Sequence, residues 1–561
     1  MMATDYIYVD GIPVQLEGEK NLLQVIRKVG VKLPTFCYHT DLSVYGACRM
    51  CMVEDERGSL YTACSTPAKP GMQIKTNTAR LRKYRKNILE LILANHCSDC
   101  TSCANNKACK LQELAVRFNI TEVRFPNSAN ERRIRNGSSC ITFDSGKCIL
   151  CGDCVRTCHE VQNVGAIDFA YRGSKMVIST AFGKPISESP CVGCGQCAIA
   201  CPTGAIMAKD DIQKVWDALA NPTVKTVVQV APAVRVGLGN VEGIGDGENV
   251  IGKIFAALRR MGFDEVYDTS FAADVTTLEE TQEFMERLKE EKNIPLFTSC
   301  CPGWIQYAEK KHPELLPNIS SCRSPMEMFA SIIKEERKEE GKQLFHVAVM
   351  PCTAKKFEAQ REEFKNYGVQ NVDAVITTEE FSRMLKEAGL LLKDLDPEGP
   401  DAPYDISSGA GVIFGVTGGV TESVLRNVVA DKSRTALLQI ANVGERGNDG
   451  IKEFNIAYGE NTLHFAVVSG LANAEKIIQR IQSGEHFDLV EVMACPGGCV
   501  NGGGQPFSHA DVRRARGKGL YDADRVLSVR NAELNPVVEA CYSRLLNGRE
   551  HKLLHVEYGK H

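Results

Sequence analysis

Cysteine placement constrains this chain more than any other feature. Its 561 residues hold 24 cysteines, and seventeen of these fall before residue 202, mostly in C-x2-C groups. The opening Met1-Met2-Ala3-Thr4-Asp5 has no basic, apolar or twin-arginine export signal, so a cytoplasmic protein is expected. In a reducing compartment, clustered thiols hold metal more often than they pair as disulfides. Two unlike halves follow: a cysteine-dense relay and a larger part with seven placed thiols. At roughly 150 residues per domain the length suits about four domains. Lys plus Arg number 66 and Asp plus Glu 70, a net charge of −4, which argues against nucleic-acid or membrane-surface binding driven by bulk charge. No apolar run reaches the roughly 18 residues of a membrane span.

Residues 1–79 begin with Tyr6-Ile7-Tyr8-Val9 and Ile12-Pro13-Val14-Gln15-Leu16 around Asp10-Gly11, a hairpin signal. Leu22, Leu23, Ile26 and Val29 then repeat at helical spacing before Gly30. Strand, turn, strand, helix predicts a β-grasp domain. Cys37, Cys48, Cys51 and Cys64 follow as C-x10-C-x2-C-x12-C, which suits a 2Fe–2S cluster; zinc is the alternative for four thiolates. The long first gap favours iron–sulfur and resembles plant-type ferredoxin domains. In residues 80–135, Leu81, Tyr84, Ile88, Leu91 and Ile92 predict an amphipathic helix ending near His96. The run Arg80, Arg82, Lys83, Arg85 and Lys86 is read as its solvated face, with a landing patch for an acidic carrier as the other reading. His96, Cys100, Cys103 and Cys109 could hold zinc. Their spacing resembles the 4Fe–4S site with one histidine and three cysteine ligands of iron hydrogenases and of the large iron–sulfur subunit of respiratory NADH dehydrogenase. Cys97 is read as a bystander.

Residues 136–210 carry an internal repeat, Cys148-x2-Cys151-x2-Cys154-x3-Cys158 and Cys191-x2-Cys194-x2-Cys197-x3-Cys201-Pro202. This is the bacterial two-cluster ferredoxin signature, in which the fourth cysteine of each run serves the other cluster. Cys148, Cys151, Cys154 and Cys201 are thereby assigned to one 4Fe–4S cluster, and Cys158, Cys191, Cys194 and Cys197 to the second. A series of clusters makes a wire, and a wire implies a terminus where electrons meet chemistry.

Residues 211–561 alternate buried strand runs (Thr226–Val230, Ile294–Phe297, Val347–Val349, Leu489–Val492) with helices (Ile251–Met261, Leu278–Glu291, Glu379–Ala388). This predicts an α/β core with largely parallel strands, so the whole chain reads as multidomain α/β. Cys300-Cys301-Pro302, Pro351-Cys352 and Cys495-Pro496-Gly497-Gly498-Cys499 each follow a predicted strand, and open α/β sheets place ligands beyond their C-terminal strand ends. Three such loops could bring four thiolates to one site, with Gly502-Gly503-Gly504 letting backbone approach a bulky group.

Thr298-Ser299-Cys300-Cys301-Pro302-Gly303-Trp304, Met350-Pro351-Cys352-Thr353-Ala354-Lys355-Lys356 and Glu491-Val492-Met493-Ala494-Cys495-Pro496-Gly497-Gly498-Cys499 resemble the three signatures of the FeFe hydrogenase catalytic domain. With the cluster series, the resemblance covers essentially the whole chain and points to the monomeric clostridial type. It implies one 2Fe–2S cluster, three accessory 4Fe–4S clusters and an H-cluster, a 4Fe–4S cube joined to a two-iron unit with CO, cyanide and azadithiolate. It assigns Cys301, Cys352, Cys495 and Cys499 to the cube, with Cys499 bridging. It places Lys355 and the backbone around Pro232-Ala233 and Pro351 near the cyanides, and Met350 and Met493 as apolar walls. It makes Cys300, Glu280, Glu283 and Ser320 a proton relay, with Glu279 adjacent in register. Met326 stands where some relatives carry Gln. Cys140, Cys322 and Cys541 receive no role.

The implied activity is reversible reduction of protons to H2 in anaerobic hydrogen metabolism. The implied partners are ferredoxin or flavodoxin and the maturation proteins that deliver the two-iron unit. No GxxxxGK[ST] occurs and Gly409-Ala410-Gly411 is no dinucleotide fingerprint, so NADH and flavin sites are not expected. The end of the chain soon after the last motif disfavours an electron-bifurcating multisubunit form. Two rivals are a respiratory NADH dehydrogenase-like iron–sulfur subunit, which leaves the later motifs unexplained, and an H2-sensing or non-catalytic iron–sulfur protein, against which Cys300 and the relay residues speak.

Overall fold

The computed structural model describes residues 5–127, 134–239, 242–338, 343–429, 450–459, 461–508 and 511–559. The N-terminal unit is a five-stranded sheet ordered Ile12–Gln15, Tyr6–Val9, Gln73–Lys75, Met52–Asp55, Leu60–Thr62, with helix Leu22–Lys28 packed on it. The Asp10-Gly11 turn has both residues at positive φ, as a two-residue hairpin requires, and Asp10 also accepts the Thr76 N–H at 2.7 Å. Helix Ala79–Ala94 forms as expected, but its buried face is Leu81, Arg85 and Leu89, while Tyr84 and Leu91 are exposed. Arg85 therefore leaves the predicted solvated face: its guanidinium donates to the carbonyls of Met52 at 2.7 Å and Thr76 at 2.9 Å, satisfying strand-end acceptors that would otherwise be buried unpaired.

Between residues 134 and 208 the repeat is visible in the backbone. Gly152 and Gly195 occupy matching places, each left-handed and each preceding a short helix, Asp153–Arg156 and Gln196–Ile199. A three-stranded sheet (Ile206–Ala208, Ile141–Asp144, Arg135–Gly137) closes one side.

The large C-terminal part is built on two four-stranded sheets where sequence suggested one core. The first is wholly parallel, ordered Glu265–Asp268, Val224–Val230, Gln343–Met350, Ala374–Thr377. The second orders Leu296–Phe297, Leu489–Met493, Asn461–Ser469 and Ile451–Tyr458; only the last pairing is antiparallel. Each sheet has its own apolar core, one holding Val228, Val349 and Ile376, the other Phe297, Trp304 and Val492. Helix Ser270–Glu290 spans 21 residues, about 30 Å. Its first two turns are buried on every side and its last two reach solvent, so the helix connects the core with the surface. Helix Ile251–Met261 has the predicted bounds and ends at Gly262 with φ +105°. Among the described residues no helix is long and apolar enough to cross a membrane.

Candidate functional site

The three cysteine-bearing loops leave C-terminal strand ends in both sheets. Thr298–Cys301 follows Leu296–Phe297, and Cys301 caps helix Pro302–Lys311, whose first residue is proline. Cys352 follows Gln343–Met350, and Cys495–Cys499 follows Leu489–Met493. Parallel pairing sets Phe297 opposite Val490, so the first and third loops start side by side. Burial raises the thiols of Cys301, Cys352, Cys495 and Cys499. Cys352 is pushed further by Cys301 and Cys499, Cys495 by Cys352, Cys194, Cys301 and Cys499, and Cys499 stands at about 12. The four are thus mutual electrostatic neighbours. Cys300, Cys301, Cys352 and Cys499 keep partial accessibility although the residues flanking them are buried, as thiols lining an internal space do. Backbone is packed tightly round them: a Cβ on Gly498 would lie 2.5 Å from Thr417 N, and one on Gly502 2.1 Å from Pro351 O. The Ala494 N–H points at Cys301 Sγ, 3.4 Å away.

An apolar wall of Ala273, Phe414, Val420 and Met493 meets Cys300 and Cys499. Ala233 packs in a cluster that touches Cys499, and Gln505 Nε2 donates to Ala233 O at 3.0 Å. Met350, by contrast, belongs to the core of the first sheet. Met326 lies in that core as well, and its carbonyl accepts from Gln229 at 3.0 Å. Lys355 Nζ donates to Glu358 at 2.7 Å and to the Cys300 carbonyl at 3.2 Å. Burial opposes its charge, but the Glu358 carboxylate outweighs that and holds the lysine above its ordinary value. Ser324 donates to the same carboxylate at 3.0 Å.

A line of proton-bearing groups leads away along helix Ser270–Glu290. The Cys300 thiol is raised by burial and then by Glu280. Glu280 is fully buried; among the described residues only the Ser299 backbone and the Ser320 hydroxyl are near enough to offset the loss of water, and neither makes a close hydrogen bond to it. Burial, then repulsion from Glu283 and Glu491, lifts it to about 8, so it is mostly protonated at neutral pH. One turn on, Glu283 accepts from Ser320 Oγ at 2.9 Å and from Arg287 at 2.5 Å. Glu280, Glu283 and Arg287 stand on one helix face, running from core to surface. Glu279 faces elsewhere, bonding His555 Nε2 at 2.8 Å and Tyr542 OH.

The N-terminal cysteines gather as their spacing suggested. Cys51 and Cys64 sulfurs are 3.4 Å apart, and Cys48 N–H points at Cys37 Sγ at 3.4 Å. His96, Cys100, Cys103 and Cys109 line one small cavity together with Cys97. In the repeat, Cys154 neighbours Cys151, Cys148 and Cys201, while Cys191 and Cys194 neighbour Cys158, the crossed grouping of a two-cluster ferredoxin. Backbone N–H groups of Leu150, Ala166, Gly193 and Ala205 point at Cys148, Cys158, Cys191 and Cys201 sulfurs at 3.2–3.4 Å.

The second of these groups abuts the large part directly. Cys194 neighbours Cys352, Thr353 Oγ1 donates to Gly193 O at 2.6 Å, and Gln162 Nε2 donates to Ala494 O at 2.8 Å. A Cβ on Gly503 would lie 2.2 Å from Cys194 O, so only glycine permits this approach. Sequence reasoning missed Glu358, Gln505, Phe414, Val420 and Thr353; their roles depend on tertiary neighbours. Arg287 could have been found, being one turn beyond Glu283.

Five family descriptions match: "2Fe-2S iron-sulfur cluster binding domain" over residues 6–79, "NADH-ubiquinone oxidoreductase-G iron-sulfur binding region" over 85–124, "4Fe-4S dicluster domain" over 147–208, "Iron only hydrogenase large subunit, C-terminal domain" over 224–503 and "Iron hydrogenase small subunit" over 510–561. The chain is 39% identical to the NADP-reducing hydrogenase subunit HndD of Solidesulfovibrio fructosivorans over 99% of this chain and 98% of that protein. It is 34% identical to iron hydrogenase 1 of Clostridium pasteurianum over 99% of this chain and all of that one. A solved FeFe-hydrogenase structure from Chlamydomonas reinhardtii superposes with a TM-score of 0.55 at 36% identity, covering 62% of this chain and 99% of that one.

Proposed function

The chain belongs to the iron-only (FeFe) hydrogenase family, and from that premise we propose how its residues divide the work of interconverting two protons and two electrons with H2. Cys301, Cys352, Cys495 and Cys499 would hold the 4Fe–4S cube of the H-cluster, and Cys499 would bridge to the two-iron unit. Four soft donors facing one internal space suit that group, because thiols raised this far by burial become good thiolates only when a cationic centre compensates them. When bound, the group supplies a redox-active metal with an open position for H2.

The remaining work falls to the protein. Lys355, kept charged by Glu358, fixes the Cys300 loop through the Cys300 carbonyl and presents a cation to the pocket beside the backbone of Pro232, Ala233 and Pro351. Phe414, Val420 and Met493 exclude water from the space beside Cys300. Cys300 holds a proton at Sγ; the neutral Glu280 carboxyl takes that proton on one oxygen as it gives up its own from the other, and Ser320 and Glu283 pass it outward. Cys37, Cys48, Cys51 and Cys64 would hold the 2Fe–2S cluster. His96 with Cys100, Cys103 and Cys109, and the two crossed groups of the repeat, would hold the accessory 4Fe–4S clusters. These units correspond to domains 1–79, 80–135, 136–210 and 211–561. The N–H groups aimed at their sulfurs raise reduction potential.

A ferredoxin or flavodoxin is the electron partner this reading favours, with the protein acting as a monomer in the cytoplasm and maturation proteins loading the two-iron unit. The resemblance to HndD, itself a subunit, favours a second reading in which a companion subunit delivers the electrons.

One observation carries the assignment: four thiols from loops of two separate sheets are mutual neighbours, with Cys194 of the relay against them. The test is to produce the protein with and without the maturation proteins, then measure infrared CO and cyanide bands and dye-driven H2 evolution. Bands and turnover in the matured sample alone are expected. A matured sample with all its iron but neither signal would refute the assignment.

A further inference from the structure

At the outer end of the relay, Glu283 belongs to a cluster among the described residues whose other two members have no role in the chemistry above. Glu283, Cys322 and His555 each offer a ligand atom, and these atoms lie within 4.8 Å of one another. They come from three distant stretches: the long helix, the loop after Ser320, and the C-terminal segment that matches the hydrogenase small subunit.

The groups behind these atoms are arranged as outer partners of metal ligands are. His555 Nε2 lies 2.8 Å from Glu279 Oε2, and Tyr542 OH bonds the same carboxylate. A neutral His555 that donates Nε2–H to Glu279 leaves Nδ1 as an acceptor, and Nδ1 faces Ser321 Oγ at 2.9 Å. On Glu283, Arg287 takes Oε1 at 2.5 Å, while Oε2 accepts from Ser320 Oγ at 2.9 Å, Ser321 N at 3.0 Å and Ser321 Oγ at 3.1 Å, with Cys322 Sγ at 3.9 Å; Ser321 Oγ thus stands between Glu283 and His555. Imidazole, thiolate and carboxylate are together the donor set that zinc prefers, with water as a fourth ligand. The side chains of Glu283 and His555 are 14% and 13% exposed, so an ion can reach the cluster from solvent although Cys322 is buried.

We propose that Glu283, Cys322 and His555 form a binding site for zinc-class divalent cations at the outer end of the proton relay, and that its occupancy shuts the relay. On binding, the Cys322 thiol proton is released to solvent, the thiolate and His555 Nδ1 bind the ion, and Glu283 Oε2 is withdrawn from Ser320. The inhibitory part rests on the relay assigned above; the site itself does not.

Matured holoenzyme is exposed to zinc chloride, desalted, and examined by zinc-edge X-ray absorption and metal analysis, with dye-driven H2 evolution read as the ratio with and without zinc. One retained zinc per chain with a single sulfur donor is expected, with unchanged iron content and at least tenfold slower turnover that a chelator restores. Glu279→Gln should raise the inhibitory zinc concentration ~10–100-fold and Cys322→Ala by more than that. His555→Asn checks the site independently should Cys322→Ala not fold. No retained zinc, a sulfur-free coordination shell, or equal retention by Cys322→Ala and His555→Asn would overturn the site. Zinc bound with one sulfur but without effect on turnover would support the site and refute proton passage through Glu283.

Discussion

Glu280→Gln separates two properties that the structure joins in one side chain. The carboxyl is fully buried and stands at about 8, against an ordinary 4.5. Because the folded pKa is the raised one, the folded state binds the proton more tightly, so between these values rising pH costs stability and acid pH does not. Linkage puts the cost of Glu280 at about 1.5 kcal/mol at pH 5.5, about 3 at pH 7 and about 4.5 at pH 8.5, taking 1.36 kcal/mol per pKa unit. A glutamine of the same shape has no such cost. The variant should therefore gain about 3 kcal/mol over wild type between pH 5.5 and 8.5, while losing the ~10²–10⁴-fold that a positioned proton carrier contributes to turnover. Calorimetry of anaerobic samples across that pH range gives the first quantity, and dye-driven H2 evolution the second. Parallel melting profiles for variant and wild type would show that Glu280 is not held neutral by burial. Full turnover in the variant would remove it from the proton route whatever its pKa.

Three further outcomes follow from the same geometry. Cys499→Ala should leave the accessory clusters in place but prevent retention of the two-iron unit; normal CO and cyanide infrared bands would refute the bridging assignment. Lys355→Met strands the Glu358 carboxylate in the interior and should cost about 3–5 kcal/mol, read by calorimetry, together with activity; a stable, active variant would show that the pair is dispensable. Gly503→Ala forces a Cβ to within 2.2 Å of Cys194 O and must push the repeat away from the catalytic loops. Electron transfer between the accessory clusters and the catalytic site, followed by rapid-mixing spectroscopy, should slow while infrared bands persist; an unchanged rate would mean that this contact does not set the distance.

Much of the gathering of the cysteines was legible in the chain because it is dictated by local spacing. Three thiols at C-x2-C-x2-C reach one cube wherever the segment sits, and Gly152 and Gly195 repeat at matching places to start the helices that carry the third cysteines. The strand-end positions of Cys301, Cys352, Cys495 and Cys499 were equally readable, because apolar strand runs announce themselves without tertiary help. Arg85 shows the limit. Read as part of a charge run it goes with Lys83 and Lys86, yet helical spacing sets it beside Leu81 and Leu89, and carbonyls on the neighbouring strands hold its guanidinium inside.

What sequence by itself determined, then, is which cysteines come together and in what local grouping, because bonded spacing sets which sulfurs can meet. Tertiary structure alone decided that the catalytic loops issue from two sheets, that Glu280 is buried beside Glu283 and so mostly neutral, that Lys355 keeps its charge beside Glu358, and that His555 returns from a distant stretch of the chain to face Glu283. These are properties of solvation and neighbourhood. A carboxyl's proton affinity, or a thiol's usefulness as a ligand, is set by what surrounds it in space, and no spacing rule records that.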